Sequence, residues 1–176
     1  MKRLAPIALI PVFTVLSACT TVGTVPASHV ANATLEMANG LPAGTVQLVS
    51  DGEKVTLTAA VAGMSPGVHG IHLHTTGSCV APDFKSAGGH LNPDGRQHGM
   101  DNPMGSHVGD LPNITVSDAG AGTISVALQG TQAELMETLF DADGTAIVVH
   151  AGPDDYKTDP SGNSGGRIAC GVLKKA

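Results

Sequence analysis

The feature that most constrains this chain is a period-two alternation of apolar and polar residues, repeated in short segments and punctuated by turn signals. It runs through Thr34–Met37, Thr45–Val49, Val55–Thr58, Ile114–Ser117 and Thr123–Val126. In each, one face of an extended strand is turned toward a core. Asn39-Gly40, Asp51-Gly52 and Asp143-Gly144 lie beside such segments, where tight turns need residues that tolerate positive φ. Val68–His74, Ala146–His150 and Arg167–Leu173 bring the expectation to about eight strands. Gln132–Phe140 is expected to make one short helical turn, and nowhere does strand alternate with helix. The 176 residues therefore read as one all-β domain, an antiparallel sandwich or flattened barrel. Only Phe13, Phe84, Phe140 and Tyr156 are aromatic, so the core must be built of Val, Ile, Leu, Ala and Met. Two long segments, Thr75–Asp110 and Ala151–Gly166, interrupt the strand pattern; long loops in compact domains are usually functional.

The amino terminus reads as an address. Lys2 and Arg3 precede an apolar run, Leu4–Leu16, that contains Pro6 and Pro11 and falls short of the ~20 residues of a membrane span. Residues 1–18 are expected to be a signal peptide. The sequence Leu16-Ser17-Ala18-Cys19 resembles the lipobox of bacterial lipoproteins, which implies lipidation of Cys19 as the first mature residue. Residues 19–32 then read as a lipidated tether, and 33–176 as the folded domain. Loss of Lys2 and Arg3 with the leader takes the formal charge from −6 to −8. So acidic a chain lacks the basic footprint of a nucleic-acid binder.

Eight histidines in a chain of this size need an explanation. On a strand, residues i and i+2 share a face, roughly 6.5–7 Å apart, so His72 and His74 can converge on one ion. The long loop offers His90, His98 and His107 with Asp110, a three-nitrogen, one-oxygen set that suits tetrahedral zinc. His150 closes the hydrophobic strand Ile147-Val148-Val149. A zinc hydrolase would want a glutamate near these histidines, yet none occurs between Glu53 and Glu134. His69, three residues before the pair's first member, faces away from it; His29 sits in the tether; Met100 and Met104 show no ligand spacing. Asn32-Ala33-Thr34 and Asn113-Ile114-Thr115 match the glycosylation triplet, which a bacterial lipoprotein would not ordinarily use.

The runs Gly70-Ile71-His72-Leu73-His74, Gly89-His90-Leu91-Asn92-Pro93, His98, His107–Leu111, Val148-Val149-His150 and Gly165–Val172 together resemble copper,zinc superoxide dismutase, in order from about Ala33 to Leu173. The resemblance implies an eight-stranded Greek-key barrel, grouped with the immunoglobulin-like sandwiches. It implies one copper per subunit on His72, His74, His90 and His150, and one zinc on His90, His98, His107 and Asp110, with His90 bridging the two. Dismutation of superoxide to dioxygen and hydrogen peroxide follows, with Arg167 orienting the anion and His90 moving a proton. Asp154 would join a copper histidine to a zinc histidine, most simply His72 and His98. A Cys79–Cys170 disulfide is implied, in an oxidising compartment, and His69 would bond structurally. The short loops, with Lys157 the one lysine of the loop that follows His150, are more similar to the exported bacterial branch, which places the chain in the periplasm or cell envelope on a lipid anchor, with a homodimer possible. The alternative is a non-catalytic copper- and zinc-binding module of the same fold.

Overall fold

The computed structural model describes residues 26–176. The expected leader, Cys19 and the start of the tether lie outside the described residues. Among the described residues ten strands form: β1 (Ser28–Met37), β2 (Pro42–Ser50), β3 (Val55–Val61), β4 (Gly67–His69), β5 (Ile71–His74), β6 (Ile114–Val116), β7 (Gly122–Ala127), β8 (Ala146–His150), β9 (Arg167–Val172) and β10 (Lys174–Lys175). One sheet has the order β5-β8-β9-β1-β2-β3-β7, with β10 added to β1, and β4 and β6 form a second pair. Every pairing is antiparallel. The returns of β9 to β1 and of β7 to β3 are the long connections of a Greek key.

Two expectations shift. β1 begins at Ser28, which pairs with Ser50, so residues 28–32 belong to the sheet rather than to the tether. The stretch Val68–His74 is two strands: the Gly70 amide donates to the Gly152 carbonyl at 2.8 Å, and the Gly70 carbonyl accepts from the His150 amide at 2.8 Å. These bonds turn the backbone out of one ladder and into another. The helical turn expected near residue 132 is α1 (Gln132–Leu139), opened by a capping box in which Thr131 and Glu134 bond each other's amides. Leu135 and Leu139, one turn apart, are its buried residues.

Burial separates two kinds of strand. In β1 and β3 alternate residues are buried (Ala31, Ala33 and Leu35; Val55, Leu57, Ala59 and Val61), as a sheet with one wet face requires. In β5 and β8 every residue is buried. Their inner residues, Ile71, Leu73, Ile147 and Val149, join Leu35, Leu48 and Leu57 in the main core. Burying such a side chain contributes roughly 1.5–3 kcal/mol. The outer residues of β5 and β8 face the long loops instead. Ala146 and Val148 meet Phe84, Ala87 and Cys170 there in a second, smaller cluster. Because His72 pairs with Val148 and His74 with Ala146, the pleat puts His72, His74 and His150 on that same outer face.

Candidate metal centre

The loop between β5 and β6 carries the remaining ligand candidates, and it returns to β5 twice. The Thr75 amide donates to Gly89 (3.0 Å), Leu91 to Leu73 (2.8 Å) and Leu73 to Gly109 (2.9 Å). Two stretches far apart in sequence thus run beside β5, setting His90 next to His74 and Asp110 next to His72. A side chain at Gly109 would collide with the Leu73 carbonyl, so this close return requires glycine. The Cys79–Cys170 disulfide, with Cα atoms 5.7 Å apart, fastens the start of the loop to β9.

His72, His74, His90 and His150 come together, with ligating atoms within 4.8 Å of one another; so do His90, His98, His107 and Asp110. His90 belongs to both groups. In the first group each imidazole gives one nitrogen to an oxygen that can only accept. His74 Nδ1 donates to Gly88 O at 3.0 Å, His150 Nδ1 to Gly165 O at 3.2 Å, and His72 Nε2 to Asp154 Oδ2 at 2.7 Å. His90 Nδ1 lies 2.9 Å from Asp110 Oδ1. These bonds fix the tautomers. The other nitrogens, His72 Nδ1, His74 Nε2, His90 Nε2 and His150 Nε2, are buried and have no hydrogen-bond partner among the described residues. Four orphaned lone pairs in one pocket cost free energy unless a cation takes them. Burial pushes His74 down to about 2, His150 to about 3 with His72 adding to the effect, and His90 to about 4 against the pull of Asp110. Protons do not compete for these three rings near neutrality, and a metal fits the pocket.

The second group is built around a carboxylate. Asp110 Oδ1 lies 2.9, 3.0 and 3.2 Å from the Nδ1 atoms of His90, His98 and His107, while Oδ2 accepts from the Gly99 and His107 amides at 2.9 and 3.0 Å. His107 Nε2 donates to the Arg96 carbonyl at 3.1 Å, so in the neutral ring its Nδ1 lone pair faces the carboxylate. Positive charge at that point, a proton or a metal ion, reconciles the two. Burial acts to lower His98, but Asp110 and Asp154 overcome it and lift the ring to about 9. Burial acts to raise Asp110 and Asp154, yet their histidine and amide donors hold both below the usual carboxylate range. The chemistry of this pocket calls for positive charge.

Asp154 joins the two groups: Oδ2 accepts from His72, and Oδ1 from His98 Nε2 at 2.9 Å. No pattern in the sequence signals what orients it. Asn113 accepts from the Asp154 amide (2.8 Å) and donates to its carbonyl (2.9 Å); the Asn113 amide bonds the Tyr156 hydroxyl (2.8 Å). Asn113 is thus a brace, which removes it as a glycosylation acceptor. Gly162, at φ +62°, packs where any side chain would strike Asp154 and His98. Arg167 Nη1 donates to Phe84 O at 2.7 Å and Nη2 to Gly88 O at 2.6 Å. Gly88 O also takes His74, so one carbonyl ties the arginine to a ligand candidate. His74, His90, His150 and Arg167 line a cleft of about 440 Å³. His69 lies apart from the metal groups, with its ring nitrogens 2.8 Å from His150 O and 2.9 Å from Ser65 O. Arg96 and Asp159, also in the cleft wall, carried no signal that sequence reading could use.

The sequence model of the family described as Copper/zinc superoxide dismutase (SODC) matches residues 42–173. The chain belongs to this family. It is 42% identical to Superoxide dismutase [Cu-Zn] 2 of Aquifex aeolicus over 82% of this chain and 86% of that protein. It is 43% identical to Superoxide dismutase [Cu-Zn] of Caulobacter vibrioides over 82% and 85%. Among solved structures it is similar to a SOD-like protein from Bacillus subtilis, with TM-score 0.75 and 39% identity over 81% of this chain and 97% of that one. Copper and zinc are the cofactors of this family, superoxide is its substrate, and the donor sets described above suit both ions.

Proposed function

We propose that this protein dismutates superoxide at a copper ion held by His72, His74, His90 and His150, beside a zinc ion held by His90, His98, His107 and Asp110. The reading is carried by one observation: four buried, unpartnered imidazole nitrogens converge, and one of those imidazoles also belongs to the carboxylate-gathered set. All-imidazole donors suit a redox-active copper, and a set with one carboxylate suits zinc. Copper supplies the one-electron couple by which one superoxide is oxidised to dioxygen and a second, with two protons, is reduced to hydrogen peroxide.

The protein's own groups bind, orient and move protons. Arg167 presents its remaining N–H donors to the anion at the cleft, with its fork held by Phe84 and Gly88. His90 holds a proton at Nε2 in one half of the cycle and delivers it to the peroxide in the other, while its Nδ1 side stays fixed toward Asp110. Asp154 keeps the His72 and His98 rings in register. A non-catalytic module has no need for both the full histidine set and the arginine. Copper and zinc content of the purified protein, together with superoxide turnover, tests the reading: a chain that binds both ions and does not turn over superoxide overturns it.

The disulfide fits an exported, oxidising setting. The finer reading is a three-part chain: leader 1–18, tether from Cys19, then the enzyme domain, held on the periplasmic or envelope membrane by acyl chains on Cys19. One acyl chain anchors marginally and more than one anchors stably. Mass spectrometry of the mature N-terminus from an exporting bacterial host checks this; an unmodified Cys19 or Thr20 terminus refutes it. The possible homodimer is checked by mass measurement in solution.

A further inference from the structure

We propose that Arg96 is an anion-steering residue of the copper cleft, supplying a positive field from the metal loop. The inference rests on copper lying among the four imidazoles. Arg96 shares the cleft wall with His74, His90, His150 and Arg167. Its backbone is fixed: the amide donates to Asn92 Oδ1 at 3.0 Å, and the carbonyl accepts from Asn92 Nδ2 at 2.8 Å and from His107 Nε2 at 3.1 Å. The ring that should hold zinc therefore also sets where Arg96 stands.

Its side chain differs from that of Arg167. Among the described residues the Arg96 guanidinium has one charged neighbour, Asp94 Oδ2, 3.6 Å from Nε, and both side chains are more than half exposed. An exposed pair at that distance holds its members weakly. The fork of Arg96 is left to meet solvent and an incoming anion, whereas two donors of Arg167 are already committed to carbonyls. The ionic side chains of the cleft wall, apart from histidine, are Arg96 and Arg167 against Asp159. Lys157, the one lysine of residues 151–166, does not line it. On a mature chain of charge −8, an anion is repelled at long range, so a local excess of guanidinium decides whether encounters reach the metal.

The test uses the full mature protein loaded with both metals. The second-order rate with superoxide is measured by pulse radiolysis across ionic strength, and the affinity of azide for the cupric site is measured by optical titration. At low salt, Arg96→Gln should slow the rate about two- to fourfold and Arg96→Glu about tenfold, as expected for one and two unit charges near the anion's path. Azide should weaken in the same order. Both differences should close near 1 M salt, where the Debye length is about 3 Å. Asp94→Asn should raise the low-salt rate, and Lys157→Gln should leave it unchanged. Arg96→Glu with both metals, the parent low-salt rate and the parent azide affinity would overturn the proposal. So would a slowing that persists unchanged at high salt, which would mark a disturbed loop. Copper content and turnover of the parent test the underlying site independently.

Discussion

The two halves of the metal centre are assembled by different means. On the proposed copper side three of four imidazoles stand on fully buried strands, β5 and β8, and no carboxylate enters the set. On the proposed zinc side every member comes from a loop, and one carboxylate oxygen gathers three rings. A ladder fixes side-chain direction through its pleat, so neutral nitrogens can be aimed at a point in advance. A loop has no such template, so charge must draw its ligands together. It follows that metal should matter to the order of the zinc half more than to that of the copper half.

Removing a strand ligand should have the largest effect on activity. His150→Ala should abolish dismutation while zinc stays at one ion per chain, as read by metal analysis and turnover. Parent activity with full copper in that variant would break the division between the halves. Next comes the disulfide. Closing a loop of 91 residues is worth up to ~4.6 kcal/mol on the chain-entropy model. Cys79→Ser with Cys170→Ser should therefore lower the unfolding midpoint strongly and also slow turnover, since Phe84 and Gly88 would hold Arg167 less firmly. An unchanged midpoint in the metal-loaded double variant would contradict this.

Arg167→Ile should cost about tenfold to a hundredfold in rate, at ~1.4 kcal/mol per decade, with both metals retained. Raising ionic strength should slow the parent more than the variant. Asp110→Ala attacks the other half: zinc should be lost and amide exchange across residues 90–110 should quicken, while copper still binds. Copper lost before zinc in that variant would invert the comparison.

The smallest effect is a pH response of the metal-free protein. His74, His90 and His150 are depressed by burial from 6.5 to about 2, 4 and 3. They contribute stability that is present above about pH 6.5 and lost as pH falls through those values. His98, raised to about 9, contributes stability present below about 6.5 and lost as pH rises through 9. Thermal unfolding of the metal-free chain should therefore show an acid limb flattened by His150→Gln and an alkaline limb flattened by His98→Gln. A single variant that flattens both limbs would mean the halves are not separable.

Much of this was determined by the sequence alone. Strand periodicity, turn pairs and the β-bounded segment 151–166 are local facts, each set by φ/ψ preference and by which face is apolar, so they survive reading one residue at a time. The His72–His74 pair is of the same kind, since the pleat alone puts both on one face. Only the tertiary structure decided the rest. That β5 receives two returns of the loop depends on backbone bonds from Leu73 to Gly109 and Leu91, and no pattern within either segment encodes that register. Splitting Val68–His74 at Gly70 required the partner Gly152, and extending β1 back to Ser28 required Ser50. The Asn113 brace, the glycine at position 162 and the place of Arg96 in the cleft wall likewise arise where distant segments meet. Hydrogen bonds and steric contacts of that kind are properties of pairs, and a single chain of letters specifies them only through the fold that brings the pairs together.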